Sequence, residues 1–363
     1  RRSSDLFTGV GITALLLLLR TPLLTMLGAQ ADTVQYARDY YTWIAVGAPF
    51  IILSFTPCNQ LRTEGFANAS MIGSVLGAVV NIVLDPVLIF GCKLGAAGAA
   101  IATVIGYVFT DLYYVWFLIR RSRHLSVNIR LLRVSRREVG QVFAIGIPAS
   151  ITNIAQSFCV LITNRFLVPY GTDKVAAMGI ALKVSMIAVL VLIGFAFGVQ
   201  PLVGYNYGAQ NYRRLRQVLR FSYQFTIGLG LVLTVIVFAA APLLIRLFMQ
   251  DGSVYELGVA MLRRLLLGTA FYAFTLVTTC AFQATGKAVG AFVLSISGQG
   301  VIYGLVIWAL SSIWGYDGVI VTQPVADVLT CLLAVVLYFT SLHRVIRKGV
   351  AEQKERSEER RVG

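Results

Sequence analysis

The sequence predicts an all-α integral membrane protein, and three observations lead to that fold class. Of its 363 residues, 57% are hydrophobic and only 13% are charged, and the mean hydropathy is +0.77. Water-soluble domains carry more charge and less apolar surface than this. Apolar stretches long enough to cross a bilayer recur along the chain, and motifs from its first part return near its end at a constant offset. These features indicate a bundle of membrane-spanning helices with two related halves.

A helix needs about 20 mostly apolar residues to span a bilayer. Ten stretches of the sequence meet this requirement: 7–27, 40–61, 68–90, 96–119, 141–168, 176–200, 221–247, 256–281, 288–312 and 316–342. We therefore expect ten transmembrane helices. Because little length remains outside them, we expect function to come from side chains that face the interior of the bundle.

The charged residues indicate how these helices are oriented. The segment before the first helix and the segments after the even-numbered helices hold 22 basic and seven acidic residues, whereas the opposite loops hold four basic and six acidic residues. Lys and Arg are concentrated on the cytoplasmic side of membrane proteins, which predicts that both termini are cytoplasmic. The net charge of +15 follows from this orientation, and we expect no nucleic-acid partner.

The longest basic segment divides the chain into two lobes. Seven arginines lie from Arg120 to Arg137, between the fourth and fifth predicted helices. The predicted regions are an incomplete amino-terminal lobe at 1–119, a basic cytoplasmic connector at 120–140, a six-helix carboxy-terminal lobe at 141–342 and a charged cytoplasmic tail at 343–363. We expect the tail to be solvated and partly disordered, because it is rich in charge and poor in apolar residues.

Segments of the first four helices recur in the last four. Gly65 in RTEGFANAS corresponds to Gly286 in QATGKAVGA at an offset of 221, and Gly95 in LGAAGAA corresponds to Gly315 in WGYDGVI at an offset of 220. A near-constant offset over four helices indicates two parallel halves, an arrangement common in transporters. Residues 141–200 have no counterpart in the sequence, so the pattern predicts a six-plus-six bundle from which the first two helices are missing.

Acidic residues inside a membrane segment are candidates for function, because a buried unpaired charge is costly. Asp85 follows Asn81 by four residues, so both side chains project from nearly the same helix face. Pro86 has no backbone N–H, which leaves the Ile82 carbonyl without its usual donor. Carboxylate, amide and carbonyl oxygens suit a small cation, and a desolvated carboxylate can also carry a proton. In the alternative interpretation, Asp85 marks the outer end of its helix and is in contact with water.

Small residues precede this pair at the same spacing. Gly73 and Gly77 extend the stripe formed by Asn81 and Asp85 along one face of the predicted helix. Glycines in such a stripe allow a neighbouring helix to approach closely. We expect these two residues to serve helix packing.

Other polar residues in the predicted helices are candidates for lining a cavity. Asp327 and Gln323 lie in the middle of the last helix, where they form either a polar kink facing a cavity or a structural pair. Asn153 and Gln156 lie in the fifth helix and either line a substrate cavity or form hydrogen bonds between helices. Lys183 either extends to the membrane interface or pairs with an acid.

The sequence offers no constellation typical of an enzyme or an ATP-driven pump. His124 and His343 both lie in basic segments outside the predicted helices, and the five cysteines lack the spacing of zinc ligands. No glycine-rich phosphate loop is followed by Lys and Ser or Thr. We expect no cofactor and no metal other than a coupling ion. A transporter of this kind would draw on an ion gradient.

Several motifs, in order along the chain, resemble the multidrug and toxic compound extrusion (MATE) family. They are RTEGFANAS with its repeat QATGKAVGA, NIVLDPVLIFGCKLGAAGAAIAT at 81–103, and QPLVGYNYGAQNYRRLRQVLR at 200–220. The resemblance implies twelve helices in two six-helix lobes. It also implies export of cationic or amphipathic compounds in exchange for Na⁺ or H⁺.

The resemblance further implies a coupling-ion site in the amino-terminal lobe. The family's Asn and Asp, four residues apart on one helix, match Asn81 and Asp85, with a possible Na⁺ bound between them. A tyrosine and a threonine of the same site correspond to Tyr40 and Thr103. The family's further acid, on its first helix, has no counterpart in this sequence. Because the repeat equivalents of Asn81 and Asp85 are apolar, we expect the site in one lobe only.

The expected function is therefore efflux of small organic, mainly cationic, substrates by a monomeric antiporter surrounded by membrane lipid. The expected location is the plasma membrane. A lipid-linked saccharide flippase would share this architecture but needs a more cationic cavity, to which Lys183 and Arg20 are the only evident contributors. A polytopic membrane enzyme would need clustered acids or histidines at a membrane face, and the internal repeat would then have no explanation.

Overall fold

The helices expected from the sequence form almost all of the structure. The computed structural model describes residues 11, 13–22, 34–121, 136–248 and 252–362, although several side chains within 136–153, those of Thr172 and Ser253, and those after Gln353 are not described. These ranges contain helices and short turns and no β-strand. The prediction of an all-α fold is confirmed.

The chain divides into two compact units, 1–136 and 137–363. In the described part of unit 1, most of residues 13–22 are helical and three long helices follow: α1 (Val34–Thr63), α2 (Ala67–Pro86) and α3 (Gly95–Arg121). A π-helical turn, Val87–Gly91, extends α2 past its proline. Helix α3 packs against both α1 and α2, so it is the central element of this part of unit 1.

Unit 2 contains the remaining helices. The first three are α4 (Arg136–Leu167), α5 (Thr172–Gly208) and α6 (Tyr212–Arg246). Three broken helices follow: α7 (Gly252–Leu265) with α8 (Thr269–Ala284), α9 (Ala288–Ile296) with α10 (Ile302–Trp314), and α11 (Tyr316–Leu337) with α12 (His343–Val362). The breaks are a 3₁₀ turn at Leu266–Gly268 and π-helical turns at Ser297–Val301 and Tyr338–Leu342.

Eight continuous spans in the described ranges are long and apolar enough to cross a membrane. They agree with eight of the ten predicted helices. Helix α4 covers the predicted stretch 141–168, and most of the predicted stretch 7–27 lies outside the described residues. Large apolar side chains cover the outside of these helices; Phe90 is 76% exposed and Ile313 is 70% exposed. Such a surface suits contact with lipid tails, because the bilayer core contains no water and apolar side chains can be exposed there without cost.

The turns support the internal repeat. Gly65 and Gly286 adopt positive φ angles of 88° and 71°, and Gly95 and Gly315 adopt 52° and 55°. These left-handed conformations strain any residue with a Cβ atom. The four glycines that align at offsets of 220 and 221 therefore make the same two turns in both units.

The predicted stripe of small residues packs tightly. Gly73 and Gly77 on α2 are buried, and Tyr114 and Thr110 on α3 lie directly over them. The Thr110 hydroxyl donates to the Gly73 carbonyl at 3.2 Å, and the Tyr114 hydroxyl donates to the Ser70 carbonyl at 2.7 Å. The prediction that Gly73 and Gly77 serve helix packing is confirmed.

The expectation that the tail at 343–363 is partly disordered is wrong, because α12 continues to Val362. Its sequence is rich in Glu, Lys, Arg and Gln, which favour helix. The tail is also attached to the start of α6. The Gln353 side chain donates to the Gln210 carbonyl at 2.5 Å and accepts from the Arg213 backbone N–H at 3.4 Å. The charge composition of the tail predicted a solvated segment and could not show that the tail is attached to the start of α6.

We predict that Gly77→Ala destabilises the protein. An added methyl group would overlap the Thr110 hydroxyl and lie 2.7 Å from the Gly106 carbonyl oxygen, so α2 and α3 would have to separate, at a cost of roughly 1–3 kcal/mol. The apparent Tm of the purified protein in detergent should fall. Gly91→Ala is the control, because no atom lies within 4 Å of its built Cβ. Equal Tm values for the two variants would contradict the packing described here.

Candidate functional site

Unit 1 contains a cleft of about 360 Å³ that opens beside the α2–α3 contact. Its lining is a mixture of aromatic, small and polar side chains. They are Ser54, Phe55, Cys58, Ser74, Gly77, Ala78, Asn81, Thr103, Gly106, Tyr107, Thr110 and Tyr114. The volume lies near the lower end of the range for sites that bind small organic molecules. No Lys or Arg is part of this lining.

Two of the four residues proposed for the ion site, Asn81 and Thr103, line this cleft, and a third, Asp85, lies next to Asn81 just outside the lining. The Asn81 side-chain amide is 3.5 Å from Asp85 Oδ1 and donates to Thr103 Oγ1 at 3.3 Å. The Thr103 hydroxyl in turn donates to the Ala99 carbonyl at 2.9 Å. Thr103 therefore presents an oxygen lone pair to α2. The geometry connects the Asn81–Asp85 pair on α2 to the first half of α3.

Close packing of the two helices places Asn81. A Cβ built on Gly106 of α3 would lie 3.3 Å from the Asn81 Cβ and 2.7 Å from the Gly77 carbonyl oxygen. Only a residue without a side chain leaves room for Asn81 to reach Thr103. The stripe of small residues on α2 and Gly106 on α3 thus position the polar group.

The arrangement is suited to binding a small cation or a proton. Asp85 is half-buried, and no ion pair to it is found among the described residues. The Asn81 amide reaches only one carboxylate oxygen, so the second remains available. Carboxylate and hydroxyl oxygens, here from Asp85 and Thr103, are ligands that hard cations prefer, and the Asn81 amide N–H group faces both of them.

Tyr40, the fourth predicted residue, lies apart from this group on the first turns of α1. Its side chain is 43% exposed and is not part of the cleft lining. In the described part of unit 1, no hydrogen bond joins Tyr40 to Asn81, Asp85 or Thr103. Its role at the ion site stays a prediction.

The residues of unit 2 that were predicted to line a cavity do not all lie at one. Gln323 donates to Asp327 Oδ1 at 3.0 Å, one helical turn along α11, and Asp327 lines a cavity of about 80 Å³. Gln156 and Lys183 are exposed. Lys183 lies opposite the face of α5 that packs into the core, which explains its exposure. The side chain of Asn153 lies outside the described residues.

The residues around Asp327 were not predicted from the sequence. The cavity lining comprises Tyr272, Thr275, Leu276, Thr279, Leu294, Ser295, Gly298, Gln299, Asp327 and Thr330. The internal repeat is the signal that would have found them. Adding 220 or 221 to the lining positions of the unit 1 cleft gives most of these residues.

In the described ranges, the side chains that typically bind transition metals do not cluster. No group of three or more His, Cys, Asp or Glu side chains in these ranges is arranged to hold a metal ion. The five cysteines are free thiols, of which Cys159 and Cys280 are buried and Cys92 is exposed.

Comparison with known proteins supports the family resemblance. Residues 5–87 and 148–308 match the MatE family model. The multidrug export protein MepA of Staphylococcus aureus strain MRSA252 is 30% identical over 342 residues, which cover 93% of this chain and 75% of that protein. MepA of Staphylococcus saprophyticus is 28% identical over 314 residues, which cover 86% of this chain and 69% of that protein.

Solved structures show the same fold. An outward-facing multidrug resistance MATE family transporter of the MOP superfamily is 24% identical, with a TM-score of 0.88 over 96% of this chain and 78% of that chain. A MOP superfamily transporter from Pyrococcus furiosus is 25% identical, with a TM-score of 0.85 over 92% of this chain and 75% of that chain.

These matches confirm the predictions of an all-α, two-lobed, multi-pass membrane protein and of a transporter rather than an enzyme. The family model covers more than half of the chain, and the curated relatives are export proteins. The chain belongs to the MATE family of multidrug efflux transporters.

Proposed function

We propose that the protein is a secondary active exporter that moves cationic or amphipathic organic compounds across the plasma membrane in exchange for H⁺ or Na⁺. The observation that carries this proposal is the convergence of Asn81, Asp85 and Thr103 beside the unit 1 cleft. The export function of the MepA relatives supports the substrate class.

The exchange follows from competition for one negative charge. While Asp85 is ionised, its field attracts a cationic substrate, and the aromatic side chains of Phe55 and Tyr107 in the cleft offer faces on which a cation or a flat ring can rest. When H⁺ or Na⁺ neutralises Asp85, that attraction is lost. Each ligand therefore weakens the binding of the other, which is the thermodynamic requirement for antiport.

Neutralisation of Asp85 also provides a means of changing conformation. An ionised carboxylate without a cationic partner is costly in a low-dielectric environment, and the neutral form carries a much smaller penalty. A state in which the α2–α3 region closes around Asp85 is thus favoured once the ion is bound. In the proposed cycle, the outward-open protein binds the ion and releases substrate, and the inward-open protein releases the ion and binds substrate.

The polar residues around Asp85 have separate roles in this proposal. Asn81 holds the carboxylate and shares the ion, and Thr103 contributes a hydroxyl oxygen from the facing helix. Tyr40 completes the set of ion ligands in the ion-bound state. This requires its side chain to move from the exposed position that it has in the structure. The protein acts as a monomer, with both termini on the cytoplasmic side.

A lipid-linked saccharide flippase is not favoured. A pyrophosphate-linked substrate requires cationic side chains in the cavity, and none lines the unit 1 cleft. Lys183 is exposed and lies outside the linings of both the cleft and the Asp327 cavity.

We predict that Asp85→Asn abolishes ion-driven efflux. The amide preserves the size of the side chain but cannot be neutralised by an ion, so substrate and ion no longer compete for the same charge. The measurement is dye transport by proteoliposomes under an imposed pH or Na⁺ gradient. Asp173→Asn is the control, because Asp173 is an exposed carboxylate in the first turn of α5. Unchanged gradient-driven transport in Asp85→Asn would refute the assignment.

Thr103→Val should weaken the binding of the coupling ion without abolishing it. Valine preserves the branched shape of threonine but removes the oxygen that faces Asn81. We expect the ion concentration for half-maximal transport to rise about tenfold, a typical effect of losing one member of an ion site. Thr340→Val, which removes an exposed hydroxyl from unit 2, should leave that concentration unchanged. A half-maximal concentration equal to that of the unaltered protein would exclude Thr103 from the site.

The proposed orientation can be tested with a native cysteine. Cys92 is exposed in the turn between α2 and α3, on the side that the charge distribution predicts to be extracellular. A membrane-impermeant maleimide should label the protein in intact cells, and Cys92→Ser should remove this labelling. If Cys92 reacts only after the membrane is permeabilised, the orientation is the reverse of the one proposed.

A further inference from the structure

We propose that unit 2 binds one anionic phospholipid of the cytoplasmic leaflet in a groove between α5 and α6, with the lipid phosphate at Arg214. This groove shares no lining residue with the unit 1 cleft or the Asp327 cavity. The inference uses the proposed membrane orientation, but it does not depend on ion coupling at Asp85.

The groove is elongated and has a volume of about 570 Å³. It extends along α5 from Gly194 to Leu202 and along the antiparallel α6 from Ser222 back to Arg214. Eight residues of an α-helix rise about 12 Å. One end of the groove therefore lies in the first turn of α6, beside the connection at 209–211, and the other end lies about 12 Å deeper in the membrane.

Two glycines on α5 give the groove its depth. Gly194 and Gly198 are exposed and one helical turn apart, and no atom lies within 4 Å of a Cβ built on either of them. An unfilled space beside a helix deprives its lining atoms of the dispersion contacts that a neighbour would provide. A flexible acyl chain can fill such a space in a bilayer.

Apolar side chains form the walls of the groove. Phe221 is 60% exposed and Leu202 is 53% exposed. The Phe195 ring stacks on Phe225 with 4.5 Å between ring centroids, and Phe225 stacks on Phe221 at 5.7 Å. This stack joins α5 to α6 and makes the deep end of the groove apolar, as the hydrocarbon part of a lipid requires.

The shallow end of the groove carries a cation and an amide. Arg214 and Gln217 are exposed, line the groove and lie three residues apart, so they project from one face of α6. No ion pair or hydrogen bond of either side chain is found in the described part of unit 2. A guanidinium group can donate two parallel hydrogen bonds to a phosphate, and the Gln217 amide offers a further donor.

The charges around this end favour an anionic head group. Arg213, Arg216 and Arg220 accompany Arg214 in the first turns of α6, and neither α5 after Asp173 nor α6 contains an acidic residue. Anionic lipids give the cytoplasmic leaflet a negative surface potential that attracts such clusters. A zwitterionic head group would bring its own cation next to these arginines.

The other possible occupants match only part of the groove. An organic cation suits the aromatic wall but is repelled by Arg214 and its neighbours. A soluble phosphate compound could pair with Arg214, but it would leave the apolar part of the groove empty. A phospholipid with an anionic head group matches both the charge at the shallow end and the apolar walls of the deep end.

The test is native mass spectrometry of the purified protein in detergent. The protein is given equimolar phosphatidylglycerol and phosphatidylcholine with identical acyl chains, so that the lipids differ only in the head group. We expect one phosphatidylglycerol molecule to be retained in preference to phosphatidylcholine. An excess of glycerol 3-phosphate should not displace it, because this compound has the phosphate but not the acyl chains.

Arg214→Gln should weaken phosphatidylglycerol binding about fivefold, the factor expected for one basic side chain at an anionic surface. Arg213→Gln is the matched control. It removes the same charge one residue away, but the Arg213 side chain is not part of the groove lining. We expect its loss of affinity to be clearly smaller.

Gly198→Leu tests the groove without changing its charge. The added side chain occupies the space proposed for the acyl chain, and the open space at Gly198 allows it to fit without moving a helix. Phosphatidylglycerol binding should fall at least fivefold while the apparent Tm in detergent is retained. Gly179→Leu is the control, because Gly179 lies on α5 outside the groove and also has no atom within 4 Å of a built Cβ. Gly194→Leu provides a second variant should Gly198→Leu lower the apparent Tm.

Any of four results would overturn the proposal. They are equal retention of the two lipids, displacement of phosphatidylglycerol by glycerol 3-phosphate, equal losses of affinity in Arg214→Gln and Arg213→Gln, and unchanged binding in both glycine variants. None of these results bears on the role proposed for Asp85, which is tested by transport in a protein whose α5–α6 groove is unaltered.

Discussion

The close contact between a glycine and a threonine on facing helices is the constraint on which the candidate ion site depends. In unit 1, Gly77 lies against Thr110. The next residue along the same face, Asn81, consequently reaches Thr103 across the helix contact. In unit 2, Gly298 lies against Thr330 and the same spacing leaves a small cavity beside Asp327. A larger side chain at either glycine would separate the two helices, and in unit 1 it would move Asn81 away from Thr103.

The two units share the same glycine–threonine contact between helices but carry their polar side chains at different positions of the repeat, so their cavities differ in chemistry. The cleft of unit 1 has the volume for a small organic molecule and has Asp85 of α2 beside it, whereas the cavity of unit 2 is much smaller and has Asp327 of α11 in its lining. An unpaired carboxylate in the membrane favours whichever state neutralises it, which is the basis of the role proposed for Asp85.

Features that depend on helical periodicity could be predicted from the sequence. The membrane spans, the stripe of Gly73 and Gly77 and the Asn81–Asp85 pair all follow from spacing along one helix, and the structure has them. Gln299 could not be predicted in the same way, because its position depends on a π-helical turn and on a partner helix. The helix in the tail was missed because the prediction considered the charge of the segment and neither its helix-favouring residues nor the contact through Gln353. Tyr40 lies apart from Asn81 and Asp85 in the structure, because its place depends on how α1 lies relative to α2, which no local pattern encodes.

The central claim is that substrate and coupling ion oppose each other at one carboxylate. The most direct test is the dissociation constant of a cationic dye for the purified protein, measured over a range of pH and Na⁺ concentration. Our account predicts that dye affinity falls steadily as the coupling ion is added, and that the dye lowers the apparent affinity for that ion by the same factor. A dye affinity that is independent of both pH and Na⁺ would contradict it.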